Sequence, residues 1–158
     1  MSENLLVMTV GLPRSGKSTW AKADGAPIVN PDSIRLAFHG ERFIPSAEPM
    51  VWAMAKYMVA ALFLAGHRRV ILDATNTTMK RRNEWKDKRW ARQFLLVNTP
   101  KEICIERAIY EGDMNIIPII EKMADQFEMP KVTWLPNYTD EPCVGGDREE
   151  PCQQQAHQ

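Results

Sequence analysis

The chain has 158 residues, 44% hydrophobic and 25% charged, proportions that suit one globular domain with a layered core. Lysine plus arginine (20) equals aspartate plus glutamate (20), so no global field draws the protein to polyanions, and any nucleic-acid contact must come from a local patch. Cys104, Cys143 and Cys152 are odd in number and lack C-x-x-C spacing, which argues against a disulfide framework or a zinc site and suits a reducing cytoplasm.

Met1-Ser2-Glu3-Asn4 has no basic region leading into an apolar one, so no signal peptide is expected. Leu5 to Val10 then reads as a short buried strand. It runs into Gly11-Leu12-Pro13-Arg14-Ser15-Gly16-Lys17-Ser18, which fits the phosphate-binding pattern G-x-x-x-x-G-K-[ST] at every fixed position. Ser18 to Lys22 continues as a helix, completing the order of strand, glycine loop and helix start. Gly11 and Gly16 allow backbone turns that a side chain forbids. The freed N–H groups can then point at phosphate oxygens, helped by the positive end of the helix. Gly11, Pro13, Arg14, Ser15, Gly16, Lys17, Ser18 and Thr19 are therefore the candidate ATP contacts. Lys17 would reach the β- and γ-phosphates, and the Ser18 hydroxyl would join the Mg²⁺ shell.

Asp24-Gly25-Ala26-Pro27 is a turn, and Ile28-Val29-Asn30 a second strand stopped by Pro31. A helix over Asp32 to Phe38 ends at Gly40. The segment Met50 to Gly66 is apolar apart from Lys56. It is short for a bilayer span, carries a central lysine, and reads as a core helix running from about Ser46 to Ala65, with no membrane association. Arg69 to Asp73 is a third strand with an acid at its carboxyl end. Thr75 to Thr78 is a turn, and Met79 to Ala91 a basic helix. Phe94 to Asn98 is a fourth strand, and Thr99-Pro100 opens a helix to about Tyr110. Ile116 to Phe127 is the last helix, and Val132 to Leu135 a candidate final strand. The pattern predicts an α/β fold in three layers, with a parallel sheet of four to five strands and helices on both faces. It fills residues 1–140, and a disordered tail is expected over 141–158. In such sheets ligands bind beyond the carboxyl ends of the strands.

Several residues fall on that rim. Asp32 can accept a proton from an attacking hydroxyl, or it can merely cap the following helix. Arg35, one turn on, can bind an anionic acceptor. Asp73 has the position of a carboxylate acting on Mg²⁺, or of a turn residue. The basic helix interleaves Lys80, Arg81, Arg82, Lys86, Lys88, Arg89 and Arg92 with Trp85 and Trp90. It is either a phosphate-backbone surface with aromatic stacking or a solvated helix whose tryptophans point into the core. Arg107 stands where a lid could close and neutralise charge on a transferring phosphoryl group. His39, His67 and His157 have no metal-ligand spacing.

The loop Gly11 to Ala21 resembles that of the phage polynucleotide 5′-hydroxyl kinases and of the kinase module in bacterial end-healing enzymes. Asn30-Pro31-Asp32-Ser33-Ile34-Arg35 is similar to their Asp-x-x-Arg acceptor motif, and Ile71-Leu72-Asp73-Ala74-Thr75-Asn76 with Arg81-Arg82 to their Asp-Ala-Thr-Asn segment. Asn98-Thr99-Pro100 to Arg107 resembles the entry to their lid, so the similarity covers about Leu5 to Pro130. The resemblance implies a kinase of the phosphate-loop class using ATP and Mg²⁺. Asp32 would be the general base, Lys17 and Arg107 would act on the transferred phosphate, and Ser18 and Asp73 would attend the metal. Arg35, Thr75, Asn76, Arg81 and Arg82 would contact a nucleic-acid acceptor. Glu111 departs from the family, which often has a second lid arginine there. No phosphatase module follows, so only phosphorylation is expected. A kinase of a hydroxymethylated base in DNA or of a small nucleoside or metabolite remains open, as does a non-catalytic nucleotide-binding domain. The acceptor and the oligomeric state are not fixed by the residues.

Overall fold

The computed structural model describes residues 3–131 and 144–146. Four parallel strands, β1 (Leu5–Val10), β2 (Ile28–Val29), β3 (Arg69–Leu72) and β4 (Ala91–Leu96), lie in the order β2-β3-β1-β4. Leu6 pairs with Val70 on one side and with Arg92 on the other, fixing the register. A short fifth strand, β5 (Val144–Gly146), adds antiparallel to the outer edge of β4. The expected strand over 132–135 and the rest of the expected tail lie outside the described residues.

Alternation along β1 divides the core. Leu6, Met8 and Val10 face one side with Ile34 of α2 (Pro31–His39) and Val51, Ala55, Val59 and Phe63 of α3 (Glu48–Leu64). Val7 faces the other side with Ile71, Leu95 and Ala21 of α1 (Lys17–Asp24). A third apolar cluster joins Leu12 of the glycine loop to α5 (Lys101–Tyr110) and α6 (Ile117–Asp125) through Cys104, Ala108 and Ile120. The central strand is thus buried on both faces, and its carboxyl end opens where the chain reverses direction across the sheet.

The long apolar helix is less buried than its composition suggests. By length and composition, residues 45–64 could cross a membrane. In the fold, a single i, i+4 stripe from Val51 to Phe63 packs on the sheet, while Met50, Tyr57 and Leu64 are exposed.

The expected basic helix over 79–91 is corrected: α4 (Met79–Asn83) ends at Asn83, and β4 already begins at Ala91. Packing of two tryptophans explains the break. Trp85 and Trp90 are 1% and 4% exposed, and five residues apart on a helix they would point in different directions. A tight turn instead sends both into the same core, with an Asp87–Trp90 bridge and the Asp87 carboxylate accepting from the Arg89 amide at 2.9 Å. The indole N–H of Trp90 is satisfied by the Trp85 carbonyl at 3.1 Å.

Candidate active site

The glycine loop is held from three sides. A methyl group on Gly11 would lie 2.8 Å from both Ser15 Oγ and the Val97 carbonyl, so only glycine fits between the loop and the end of β4. Arg14 and Gly16 take positive φ values of 67° and 105°, the second costing nothing because Gly16 has no side chain. Gly16 precedes α1 without any side-chain cap, which leaves the first amides of that helix free for an anion. The Gly11 amide donates to the Thr75 carbonyl at 3.0 Å, and Thr99 Oγ1 donates to the Ser15 carbonyl at 2.7 Å. The segments after β1, β3 and β4 therefore brace one another.

Lys17 is buried, with its ammonium donating to the Leu12 carbonyl at 2.6 Å and to Ser15 Oγ at 3.3 Å. Burial lowers its pKa from 10.5 to about 8, against a partial opposing pull from Asp73. A consequence follows for binding. Phosphate charge placed on Lys17 raises its pKa again, so binding takes up a proton once the free protein has lost it. ATP affinity is expected to hold below pH 8 and to fall about tenfold per pH unit above it. Titrating the dissociation constant from pH 7 to 9.5 checks this; a flat profile would contradict the lowered pKa. The folding sign is opposite: stability of the free protein gains as pH rises from about 8 toward 10.5, where the unfolded lysine still carries the proton and the folded one does not.

Ser18 Oγ donates to Asp73 Oδ2 at 2.7 Å, and Asn30 Nδ2 donates to the same oxygen at 3.2 Å. A hydroxyl and a carboxylate are the hard oxygen donors that suit Mg²⁺, which commonly takes one or two protein ligands and completes its shell with phosphates and water. Among the described residues, no group of three or more His, Cys, Asp and Glu could hold a metal alone. The residues fit a metal that arrives with a nucleotide.

The acceptor-side candidates lie at the start of α2. Asn30, not Asp32, caps that helix: its side chain accepts from the Asp32 and Ser33 amides at 2.8 and 3.4 Å. The Asp32 carboxylate is 71% exposed and accepts from Arg35 Nη1 at 2.6 Å. Arg35 also forks onto Glu48 of α3, from Nε at 2.7 Å and Nη2 at 2.8 Å. That bond raises the Arg35 pKa and lowers that of Glu48.

Arg81 and Arg82, adjacent in sequence, have different surroundings. Arg81 is half-exposed, 4.1 Å from the Trp52 ring centre, and pairs with Glu84 at 2.7 Å. Arg82 is 4% exposed and donates to the carbonyls of Asn76 at 2.8 Å and Glu128 at 2.9 Å. Asn76 is itself buried at φ 45°, donating to the Thr9 carbonyl at 2.9 Å. Arg82 and Asn76 thus brace the loop after β3. Arg82→Ala would leave buried carbonyls without a donor and is expected to cost about 1–3 kcal/mol. Arg81→Ala should leave the thermal midpoint within a degree or two, and paired melting curves make the comparison.

Arg107 Nη1 donates to the Arg14 carbonyl at 3.0 Å, which sets its head beside the loop. One turn later, Glu111 pairs with the Arg14 guanidinium, and Asp113 accepts from Arg14 Nη2 at 2.7 Å. Asp113 also takes both terminal nitrogens of Arg42 at 2.9 Å, and Arg42 with Arg14 holds its pKa down at about 2. Where the resembling kinases often carry a second arginine, this chain uses an acid to grip an arginine of its own loop. Glu48, Trp52, Arg42 and Asp113 escaped the sequence reading. Only Glu48 and Trp52, four apart on one helix, left a spacing that could have been noticed.

A family model described as an AAA domain matches residues 6–109. A chain of a Pnkp1/Rnl/Hen1 complex is similar at 29% identity and TM-score 0.60, over 68% of this chain and 40% of that one. A chain from the Pnkp1/Rnl/Hen1 RNA repair complex is similar at 23% identity and TM-score 0.63, over 81% and 47%. A gluconokinase from Sinorhizobium meliloti 1021 is similar at 17% identity and TM-score 0.54, over 83% and 79%. The present chain spans less than half the length of the two Pnkp1/Rnl/Hen1 chains it matches. No curated protein sequence matches it significantly.

Proposed function

The chain belongs to the AAA domain family, with the α/β fold of phosphate-loop kinases, and from that premise we propose that it is an ATP- and Mg²⁺-dependent kinase. Its acceptor is a hydroxyl of nucleic acid, first of all a polynucleotide 5′-hydroxyl end. The observation that carries this reading is the Asp32–Arg35 pair at the strand rim shared with Lys17. A nucleotide-binding switch needs no exposed carboxylate coupled to a guanidinium at that place. The 29% identity with a chain of the Pnkp1/Rnl/Hen1 complex agrees with the resemblance carried by the loop and the Asp-x-x-Arg motif.

The roles follow from charge and reach. Lys17 and the loop amides hold the phosphates of ATP. Asp32 takes the proton of the acceptor hydroxyl as its oxygen bonds to the γ-phosphorus, while the bond to the β-phosphate oxygen breaks and ADP leaves. Arg35 holds the acceptor beside Asp32, and Arg107 offsets charge gathering on the transferred group. Ser18 and Asp73 would hold Mg²⁺, which would supply positive charge to offset that of the phosphates.

One observation favours a lightly charged contact with the acceptor. Arg35 is matched by Asp32 and Glu48, and Arg81 by Glu84, so this side is not a broad cationic field. A strand neutralised at one or two phosphates would show a salt slope of about −0.7 to −1.4 in log affinity against log salt. A small hydroxylated acceptor, as in a metabolite kinase, would show almost none.

Incubation with labelled ATP and a panel of 5′-hydroxyl DNA and RNA oligonucleotides, hydroxymethylated duplex DNA, nucleosides and sugar acids tests the reading. Acceptor-dependent release of ADP with label on a 5′ end is expected. Label on a base or a small molecule moves the acceptor assignment, and ADP release indifferent to every acceptor removes the kinase reading.

A further inference from the structure

We infer that Glu48 and Trp52, one turn apart on α3, are positioning residues that fix the two arginines of the acceptor side. The inference rests on the acceptor reading above, and its substance lies in side chains outside the glycine loop and the Asp32–Arg35 pair.

Arg35 stands on α2, Arg81 on α4, and nothing in the sequence ties them. Glu48 ties the first. Its two oxygens receive Nε and Nη2 of Arg35 at 2.7 and 2.8 Å, a fork-on-fork contact that locks the guanidinium plane. What remains of that guanidinium is the Nη1 end, directed at Asp32 at 2.6 Å. Glu48 Oε2 also accepts the Trp52 indole N–H at 3.2 Å, fixing the ring. Trp85, itself buried, meets the same ring edge-on at 6.4 Å and 71°. On that held ring lies the Arg81 guanidinium, 4.1 Å from its centre, with Arg35 at 5.9 Å.

Glu48 thus sets Arg35 by a direct fork and supports Arg81 through the ring, beside the direct pair that Arg81 makes with Glu84 at 2.7 Å. An arginine on a flexible stem must be ordered before it can hold an anion, and ordering it in advance strengthens binding. The same carboxylate cancels charge on Arg35, so the geometry makes two opposed forecasts. If Glu48 positions Arg35, its loss weakens the acceptor; if it merely competes with an anion, its loss tightens the acceptor.

The experiment takes the full chain, the best acceptor of the panel, and Glu48→Gln, Trp52→Leu and Trp52→Phe. Glu48→Gln should raise the acceptor KM about tenfold, the scale of one lost charge-assisted bond, with the ATP KM within about twofold. Trp52→Leu should raise it similarly, and Trp52→Phe, which restores a ring beneath Arg81, should recover most of the loss. An unchanged or lowered acceptor KM in Glu48→Gln overturns the inference, as does an equal rise in both KM values. Failure of every acceptor in the panel sinks the kinase assignment instead. The positioning claim is then judged by NMR of the Arg35 and Arg81 Nε–H signals in the free protein. Distinct signals that collapse toward the solvent-averaged position in Glu48→Gln support it, and signals that do not move overturn it.

Discussion

Lys17→Ala is expected to lower phosphoryl transfer by about 10²–10³ or more, the range for removing one group that stabilises transition-state charge in a closed site. The protein should still fold. Lys17 is buried with its ammonium on the Leu12 carbonyl and Ser15 hydroxyl, and burial has already pulled its pKa to about 8. That lowered value means the charged form is held at a cost in the free protein, so removing it takes little from stability. The cost is offset only when phosphates arrive. Binding of ATP, followed by calorimetry, should weaken along with turnover, and the thermal midpoint should stay within a few degrees. Near-normal turnover in Lys17→Ala would remove the ATP site from this loop, whatever the acceptor.

The parts of the fold legible in the sequence were those with a local physical cause. Leu5 to Val10 is a strand with the bounds expected of it, because an uncharged apolar run followed by a glycine loop has one sensible reading. The four parallel strands and their covering helices follow from the alternation of short apolar runs with longer periodic ones. The helix expected from Asp32 begins one residue earlier, at Pro31, where a fixed φ suits the first turn. What the sequence hid was set by distant partners. The stretch from Lys80 to Arg92 has helical composition, yet burial of both Trp85 and Trp90 outweighs propensity and turns the chain after Asn83. Arg81 and Arg82 look equivalent as letters, and only the carbonyls of Asn76 and Glu128 distinguish a buried brace from a cation facing outward. The Arg35–Glu48 fork joins residues 13 apart on different helices, a pairing that no periodicity encodes. Met50 to Gly66 was apolar enough to suggest a fully buried helix, but the sheet has room for one stripe of it.

The assignment of the base stands on Asp32→Asn. A helix cap and a general base were both open to an aspartate just before a helix, and the cap belongs to the Asn30 side chain. Asp32 is left exposed, bonded to Arg35 alone among the described side chains, with no packing role to lose. Asparagine keeps its size and can still accept from Arg35 through its amide oxygen, but it cannot take a proton. Loss of a positioned general base costs about 10²–10⁴ in rate, so acceptor phosphorylation should fall by that factor. ATP affinity should be nearly unchanged, since the Asp32 side chain bonds to Arg35 and not to the glycine loop. The thermal midpoint should move by no more than a degree or two, because an exposed pair of this kind contributes at most about 1 kcal/mol. Arg35→Ala should act differently, raising the acceptor KM more than it lowers kcat, as a guanidinium can hold an anion but cannot serve as the base. Stopped-turnover assays of both variants with a saturating acceptor separate the two roles. If Asp32→Asn transfers phosphate at the wild-type rate, the proton leaves by another route and the Asp32–Arg35 pair is an acceptor clamp without a base.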